Sequence, residues 1–325
     1  MCTSIAFKTK DFYFGRNMDI GYNFGEQVVI TPRNYQFKFK KEKSIAGHYA
    51  LIGMASVMDN CPLYAEAANE KGLCMAGLNF PGYAYFGTEA VEGKSNITPY
   101  EIIPWVLAQC ENVSQARELL KSVNMISIPF KEGLPVAQLH WHIADKNESI
   151  VLESTKTGLY VYDNPLNVLT NPPGFEFHLT NTAQYLNLRT DEPSNIFSEE
   201  KNIKPFGKGM GSIGLPGDFS PASRFVKAAY LLLNSQCSND ENSSIAHFFH
   251  LLDSVAVTDG AIVIEDADKY ITTYSCCINA DKGEYYYKTY SNNQLTLIKL
   301  HNENLDGEAL ITYPLVTEQQ INEIN

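Results

Sequence analysis

The sequence predicts an α+β fold in which antiparallel sheets are layered with helices. Short segments of alternating apolar and polar residues, separated by Gly, Pro and Asn, occupy both ends of the chain, and segments with helical spacing lie between them. Strands and helices do not alternate regularly, as they would in a doubly wound parallel sheet. The 325 residues can bury a large core, and we expect one domain over residues 1–325.

The first two predicted strands form a hairpin. The stretch CTSIAFKTKDFYFGRNMD alternates apolar and polar residues around a Lys-Asp turn, which is the pattern of two strands joined tightly. Near the other end, residues 283–300 alternate in the same way around a Ser-Asn-Asn turn. Further strands are predicted at 26–32, 48–55, 72–80, 139–145, 149–155, 159–165 and 168–171.

Four helices are predicted from apolar residues three and four positions apart, at 100–110, 112–123, 221–234 and 243–255. Asn112 and Gln115 resemble a capping box, and Pro221 suits the first turn of the third helix. The Gly- and Pro-rich segment 207–223 is interpreted as a structured loop, with a domain boundary as the alternative.

Composition and charge narrow the possible partners. The chain is 44% hydrophobic and 19% charged, as in ordinary globular proteins, and its net charge of -12 argues against nucleic-acid binding. No segment reaches the roughly 18 consecutive apolar residues of a membrane span, and charged residues stand where a signal peptide needs an apolar core. We therefore expect a cytoplasmic protein that binds neither nucleic acid nor membranes.

The seven cysteines include no CxxC pair, and their odd number favours free thiols. The non-enzyme alternative is a metal-binding or redox protein. Because such spacings are common and adjacent cysteines in a strand point to opposite faces, structural roles are favoured and neither metal nor cofactor is expected. The residues of this alternative are Cys276, Cys277, His140, His142, His247 and His250.

Cys2 carries most of the information about chemistry. Removal of an initiator Met would expose Cys2 as the N-terminal residue, with a thiol and an α-amino group on one residue. The amine titrates near pH 8 and the thiol near about 8.5, so the amine can accept the thiol proton. The hairpin brings Arg16, which would favour the thiolate, and Asp19, which would orient the amine, close to Cys2. Taken alone, these residues also fit an incidental cysteine and a surface ion pair.

Several long motifs, in order along nearly the whole chain, are similar to the choloylglycine hydrolase family. They are MCTSIAFKTKDFYFGRNMD, NEKGLCMAGLNFPGY, VLTNPP, IGLPGDFSPASRF and CCINADKGEYYYKTY. This family comprises bile salt hydrolases and penicillin V acylases and shares the αββα sandwich of N-terminal-nucleophile hydrolases. The resemblance therefore implies this fold, an amide hydrolase and a homotetramer.

The resemblance also implies the catalytic residues and their roles. The Cys2 sulfur would attack the amide carbonyl, and the Asn171 side chain with the backbone N–H of Asn79 would stabilise the oxyanion. The α-amino group would protonate the leaving amine and then activate water against the thioester. Without the resemblance, the two asparagines would be interpreted as turn residues and Arg224 as a surface charge. The full set is Cys2, Arg16, Asp19, Asn79, Asn171 and Arg224.

Conjugated bile salts are the expected substrates, with penicillin V or a related acyl amide as the alternative at the same site. Bile salt hydrolases of the family have Asn at the position of Asn79, where penicillin V acylases tend to have Tyr. Gly207-Lys208-Gly209 matches a loop pattern associated with taurine conjugates, so Lys208 is expected near the sulfonate, with a solvated lysine as the alternative. Positions that match steroid contacts in the family, all apolar, are Met18, Phe24, Met58, Phe130 and Leu134.

Overall fold

Two antiparallel sheets face each other, and helices cover their outer faces. The computed structural model describes residues 1–198, 200–263 and 269–325. Among the helices of these residues, none combines the length and the apolar character needed to cross a membrane. The αββα sandwich predicted from the sequence is confirmed.

The first sheet combines strands from both ends of the chain. Its N-terminal hairpin pairs with strands from the C-terminal third. A short seventh strand, β13 (Ile262–Val263), pairs with β14. Across the sheet, the order is β12 (Val168–Leu169), β1 (Cys2–Lys8), β2 (Phe12–Ile20), β14 (Lys269–Asn279), β15 (Glu284–Thr289) and β16 (Asn292–Lys299).

In the part of the chain that the structure describes, the second sheet has eight strands, and a parallel pair, β7 (Ser95–Ile97) and β8 (Val123–Met125), lies outside it. Most of its central residues are buried because the first sheet covers one face and helices cover the other. Its order is β11 (Gly158–Asp163), β10 (Ser149–Thr155), β9 (Leu139–Ala144), β6 (Cys74–Asn79), β5 (Cys61–Asn69), β4 (Leu51–Met58), β3 (Glu26–Thr31) and β17 (Ile311–Pro314).

Within the described residues, five α-helices form the outer layers, and side chains cap the N-termini of three of them. The Asn112 side chain accepts from Gln115 N at 2.9 Å, but Gln115 Oε1 accepts from Glu111 N, so the reciprocal half of a capping box is shifted by one residue. Ser220 and Asp240 cap the last two helices. The helices are α1 (Ile102–Leu107), α2 (Val113–Leu120), α3 (Phe175–Thr182), α4 (Pro221–Asn234) and α5 (Glu241–Asp253).

The hydrophobic residues form two clusters on opposite faces of the second sheet. Along β3, Val28 and Ile30 pack between the sheets, whereas Val29 packs under α1 and α2. The period of two residues in a strand produces this division. Helices α4 and α5 extend the inner cluster over the first sheet.

Several elements differ from the sequence prediction. Helix α3 and strands β5 and β14 were not predicted, and α5 begins two residues before the predicted position 243. Strand β5 reads CPLYAEAAN, in which Ala and Glu favour helix, but pairing with β4 and β6 overrides this preference. Strand β14 is buried on both faces over its C-terminal half and therefore lacks clear alternation.

Gly15 on β2 pairs with Cys277 on β14, and the neighbouring Cys276 backbone leaves no room for a side chain at this position. A Cβ atom at this position would lie 2.0 Å from the Cys276 carbonyl oxygen. We expect Gly15→Ala to lower the free energy of unfolding by about 3 kcal/mol, since the two backbones must separate to admit a methyl group. Gly217→Ala is the matched control, because no atom lies within 4 Å of the added methyl, and it should change stability by less than about 0.5 kcal/mol. Urea unfolding measures both, and equal stabilities would contradict the close approach.

Candidate active site

Cys2 begins β1 and is 1% exposed. Its backbone N–H donates to Asn171 Oδ1 at 2.7 Å, and its thiol contacts Met18 Sδ at 3.9 Å. The preceding Met1 pairs with Asp19, because the Met1 α-amino group donates to the Asp19 carbonyl at 2.5 Å and Asp19 N–H donates to the Met1 carbonyl at 3.0 Å. Burial lowers the pKa of this α-amino group, so the site favours a neutral amine.

Asp19, near the end of β2, has one carboxylate oxygen occupied and one available. Its Oδ1 accepts from Thr272 Oγ1 at 2.6 Å. Its Oδ2 lies 3.9 Å from Arg224 Nη1 and, within the described part of the chain, accepts no hydrogen bond. A buried acceptor without a partner costs free energy, so this oxygen is suited to receive a further donor.

Arg224 connects the start of β1 to the loop that carries Asn171. Its guanidinium donates to the Cys2 carbonyl at 2.5 Å, to Thr3 Oγ1 at 2.7 Å and to Asn171 Oδ1 at 2.7 Å. The residue is 1% exposed, which excludes the alternative of a surface charge. Burial lowers the pKa of Arg224, and Asp19 and Cys2 oppose that effect. Its early position in α4 follows from the Ser220 cap and Pro221.

Arg16 spans from β2 to the second sheet. Its Nη1 donates to the Gly77 carbonyl at 2.5 Å and to the Ala65 carbonyl at 3.3 Å, and its Nη2 contacts Met18 Sδ at 3.6 Å. Burial alone would lower the pKa of Arg16, but interactions led by Cys2 outweigh it and raise that pKa. The residue therefore supplies a permanent positive charge beside the Cys2 thiol.

Asn171 contacts both Cys2 and Asn79. Asn171 Nδ2 donates to the Asn79 carbonyl at 2.8 Å. Phe80 N–H donates to the Gln138 carbonyl at 2.8 Å, so Phe80 and Gln138 form a hydrogen-bonded pair. Hydrogen-bonded and non-hydrogen-bonded pairs alternate in an antiparallel ladder, so in the adjacent pair, Asn79 with Leu139, the backbone N–H and C=O groups point away from the partner strand. The Asn79 N–H thus points to the same side as its carbonyl, toward Asn171. The pair can supply two donors to one oxyanion.

The structure adds supporting residues that sequence reasoning did not identify. Thr272 fixes the Asp19 carboxylate, and His178 Nε2–H donates to the Asn171 carbonyl at 2.8 Å while its ring stacks on Phe225. Burial lowers the pKa of His178, which favours the neutral ring. Thr272 is adjacent to Asp19 only through the pairing of β2 with β14, and no local sequence pattern signals that pairing.

The residues matched to steroid contacts lie in several loops and strand ends. Met18 contacts the Cys2 sulfur directly. Met58 ends β4 beside Asp59, and Asp59 forms an ion pair with Lys131 at 3.4 Å, in the loop of Phe130 and Leu134. Leu134 is 40% exposed, whereas Phe24, Met58 and Phe130 are half-buried.

Lys208, the residue expected near the sulfonate, forms an ion pair with Glu192. Its side chain is 94% exposed and its Nζ is 2.5 Å from Glu192 Oε1. This pair supports the alternative of a solvated loop lysine. Contact between Lys208 and a substrate anion stays a prediction.

Four residues of the metal-binding alternative, namely His140, His142, His247 and Cys276, have other side-chain contacts. His140 contacts Glu153 and the Thr170 carbonyl, each at 3.0 Å, and His142 lies between two serine hydroxyls at 2.9 Å. Burial raises the thiol pKa of both Cys276 and Cys277. Over residues 1–198, 200–263 and 269–325, no three His, Cys, Asp or Glu side chains form a group that could hold a metal ion.

The buried imidazole of His142 should make the protein less stable in acid. Burial lowers its pKa from 6.5 to about 3, so below pH 6.5 the unfolded chain binds a proton that the folded chain does not. The free energy of unfolding should fall by about 1.4 kcal/mol per pH unit from pH 6.5 to 3 through this residue. In His142→Gln, this contribution should be missing, whereas the exposed control His301→Gln should keep it. Urea unfolding at each pH tests this, and parallel curves for His142→Gln and wild type would contradict it.

Comparison with solved structures identifies the class of protein as an amide hydrolase with the N-terminal-nucleophile fold. A penicillin V acylase from Agrobacterium tumefaciens superposes with a TM-score of 0.75 at 17% identity, over 97% of this chain and 92% of that one, which shows the fold. A mutant conjugated bile acid hydrolase from Clostridium perfringens superposes with a TM-score of 0.93 at 40% identity, over 100% of both chains.

The family follows from the sequence comparisons. The family model for "Linear amide C-N hydrolases, choloylglycine hydrolase family" matches residues 2–313. The chain belongs to this family, which confirms the resemblance in its motifs. It is 46% identical over 325 residues to a bile salt hydrolase/transferase of Lactiplantibacillus plantarum and 42% identical over 330 residues to one of Clostridium perfringens, with 100% of each protein covered in both cases.

Proposed function

We propose that this protein hydrolyses the amide bond of glycine- or taurine-conjugated bile salts, releasing a bile acid and the amino acid. The observation that carries the proposal is full-length identity of 46% and 42% to proteins named bile salt hydrolase/transferase. Penicillin V acylase is the weaker alternative, because its similarity at 17% identity supports only a shared fold.

The proposed nucleophile is the thiol of Cys2 after removal of Met1. The Cys2 nitrogen already lies 2.7 Å from Asn171 Oδ1, and the free Asp19 Oδ2 is available to hold a newly exposed α-amino group. Such an amine can take the thiol proton near neutral pH. The thiolate then attacks the substrate carbonyl, and no cofactor is required.

The tetrahedral intermediate needs donors for its oxyanion. Asn171 Nδ2 is in contact with Asn79, and together with the Asn79 N–H it fits this role. Removal of one such donor typically raises the barrier by about 2.7–4 kcal/mol. Collapse of the intermediate leaves an acyl thioester and passes the proton of the α-ammonium to the departing amine. The α-amino group of Cys2 then takes a proton from a water molecule, whose oxygen attacks the thioester carbonyl. The bile acid leaves, and the sulfur regains a proton to restore the thiol.

Two buried arginines would offset the overall charge of the protein. Conjugated bile salts are anions, and the chain carries a net charge of -12. Arg16 and Arg224, each at most 1% exposed, concentrate positive charge at the site, where it is least screened. We propose that both stabilise the thiolate and developing oxyanion.

The steroid would lie against the apolar residues around the site. Met18 contacts Cys2, and the ion pair of Asp59 with Lys131 brings the end of β4 to the loop of Phe130 and Leu134. With Phe24 and Met58, these residues offer the apolar surface that a steroid requires. Their assignment as substrate contacts is part of this proposal.

A cytoplasmic homotetramer is proposed as the functional assembly. Within residues 183–215, several large apolar side chains are strongly exposed, as expected of a surface that meets another subunit. Size-exclusion chromatography with light scattering measures the assembly state. The exposed residues are Leu186, Ile196, Phe197, Phe206 and Ile213.

The decisive experiment measures amino-acid release from taurocholate and glycocholate, with penicillin V in parallel, by protein whose Met1 removal is verified by mass spectrometry. We expect release from both bile salts and its loss in Cys2→Ala, because the thiol forms the acyl intermediate. Cys2→Ser tests whether a weaker nucleophile at the same position suffices. Cleavage of penicillin V alone would move the assignment to acylase, and inactivity of processed protein would refute a hydrolase.

Taurine conjugates are the expected preferred substrates, on the basis of the Gly207-Lys208-Gly209 pattern. At matched subsaturating concentrations, taurocholate should be cleaved faster than glycocholate. Lys208→Gln should reduce this preference if the Lys208 ammonium meets the sulfonate. Lys204→Gln, a neighbouring exposed lysine, is the control and should leave the ratio unchanged. Faster cleavage of glycocholate by the wild type would end this hypothesis.

A further inference from the structure

A buried carboxylate that takes no part in the reaction outlined above lies between the two sheets. Glu66 on β5 has a fully buried side chain, and its Oε2 lies 3.7 Å from Nη1 of the equally buried Arg16. An isolated charge in a protein interior is strongly unfavourable. Each of these two residues is therefore the natural counter-charge of the other.

The contacts of Glu66 fit its ionised form. Its Oε1 accepts from Tyr285 OH at 2.6 Å and from the Cys276 thiol at 3.5 Å, and its Oε2 accepts from Tyr274 OH at 2.8 Å. All three partners are donors, and an ionised carboxylate only accepts. Burial raises the pKa of Glu66, while Arg16 and these donors oppose that effect. The three donors favour the ionised carboxylate, since a proton on either oxygen would compete with a hydrogen bond.

The other terminal nitrogen of Arg16, Nη2, lies toward Cys2. Arg16 Nη2 and the Cys2 thiol both contact Met18 Sδ, at 3.6 and 3.9 Å. The guanidinium is fixed by the Gly77 and Ala65 carbonyls, so it stays in place if the charge of Glu66 changes. Arg16 thus lies between a carboxylate and the Cys2 thiol.

We propose that Glu66 is a positioning residue that acts through Arg16, because its negative charge limits how strongly the guanidinium favours the thiolate of Cys2. A thiolate that is too stable is a weaker nucleophile, and so the charge of Glu66 keeps Cys2 reactive. This inference rests on the proposed function, in which Cys2 is the nucleophile. The residues that face Glu66 are Arg16, Tyr274, Cys276 and Tyr285.

The test replaces Glu66 by Gln, which keeps the shape and removes the charge. The rate of Cys2 alkylation by iodoacetamide is followed against pH in processed protein, by mass spectrometry of the N-terminal peptide. We expect the midpoint of the Glu66→Gln profile to move about one pH unit lower, since Arg16 then acts on Cys2 unopposed. An unchanged or higher midpoint would overturn the proposal.

Glu101→Gln is the matched control. Glu101 is also a buried carboxylate, at 2% exposure, but it accepts from the Lys40 and Thr98 N–H groups near α1 rather than facing Arg16. Its replacement should leave the midpoint unchanged. An equal shift in Glu101→Gln would show a general effect of lost charge and would overturn the specific role of Glu66.

Two further variants keep the test valid if Glu66→Gln does not fold. Glu66→Asp withdraws the charge by one methylene and should shift the midpoint in the same direction, by a smaller amount. In an Arg16→Met background, Glu66→Gln should add no shift, because a buried Glu66 without its cation takes up a proton. A shift of equal size with and without Arg16 would show that Glu66 acts directly, against the proposal.

Bile salt hydrolysis measured on the same samples separates the two ideas. If wild type is active, Cys2→Ala is inactive and Glu66→Gln leaves the midpoint unmoved, only the role of Glu66 fails. If Cys2→Ala still hydrolyses bile salts, the proposed function of Cys2 fails and the inference fails with it. At a pH above both midpoints, where Cys2 is fully thiolate, we expect kcat of Glu66→Gln to fall about threefold, since the thiolate of a thiol with a lower pKa is a weaker nucleophile. KM should change little, because the Glu66 side chain is fully buried.

Discussion

The hydrogen bonds of the buried Arg224 guanidinium hold the geometry of the site. It binds the Cys2 carbonyl and Asn171 Oδ1 at the same time. These groups come from the start of β1 and from the loop after β12, which are separated by 169 positions in the chain. Because a desolvated arginine requires its hydrogen bonds, this one residue fixes Cys2 and Asn171 relative to each other.

The distribution of charge follows from the same constraint. Arg16 and Arg224 are both buried, and each has a carboxylate within 4 Å, Glu66 at 3.7 Å and Asp19 at 3.9 Å. The carboxylates reduce the cost of burying two cations. These pairs balance the buried charge while both guanidinium groups remain close to Cys2.

Much of the architecture was readable in the sequence. The hairpin, β10 and α4 match their predicted positions, because alternation, turns and an N-cap with proline are local signals. Strand β14 was missed because its residues are buried on both sides and show little alternation. The candidate set of site residues came from motifs, but the roles of Thr272 and His178 depend on pairing between distant segments.

Local patterns and motifs in order are enough to predict the family, the layered α+β class and the chemical types gathered around Cys2. Which side chains come into contact depends instead on how distant strands pair and stack. The pairing of β2 with β14 brings Thr272 to Asp19, and the stacking of the sheets brings Glu66 to Arg16. Such contacts arise because strands far apart in the chain share one buried interface, where most charges and hydrogen-bonding groups need a partner, Asp19 Oδ2 being an exception among the described residues.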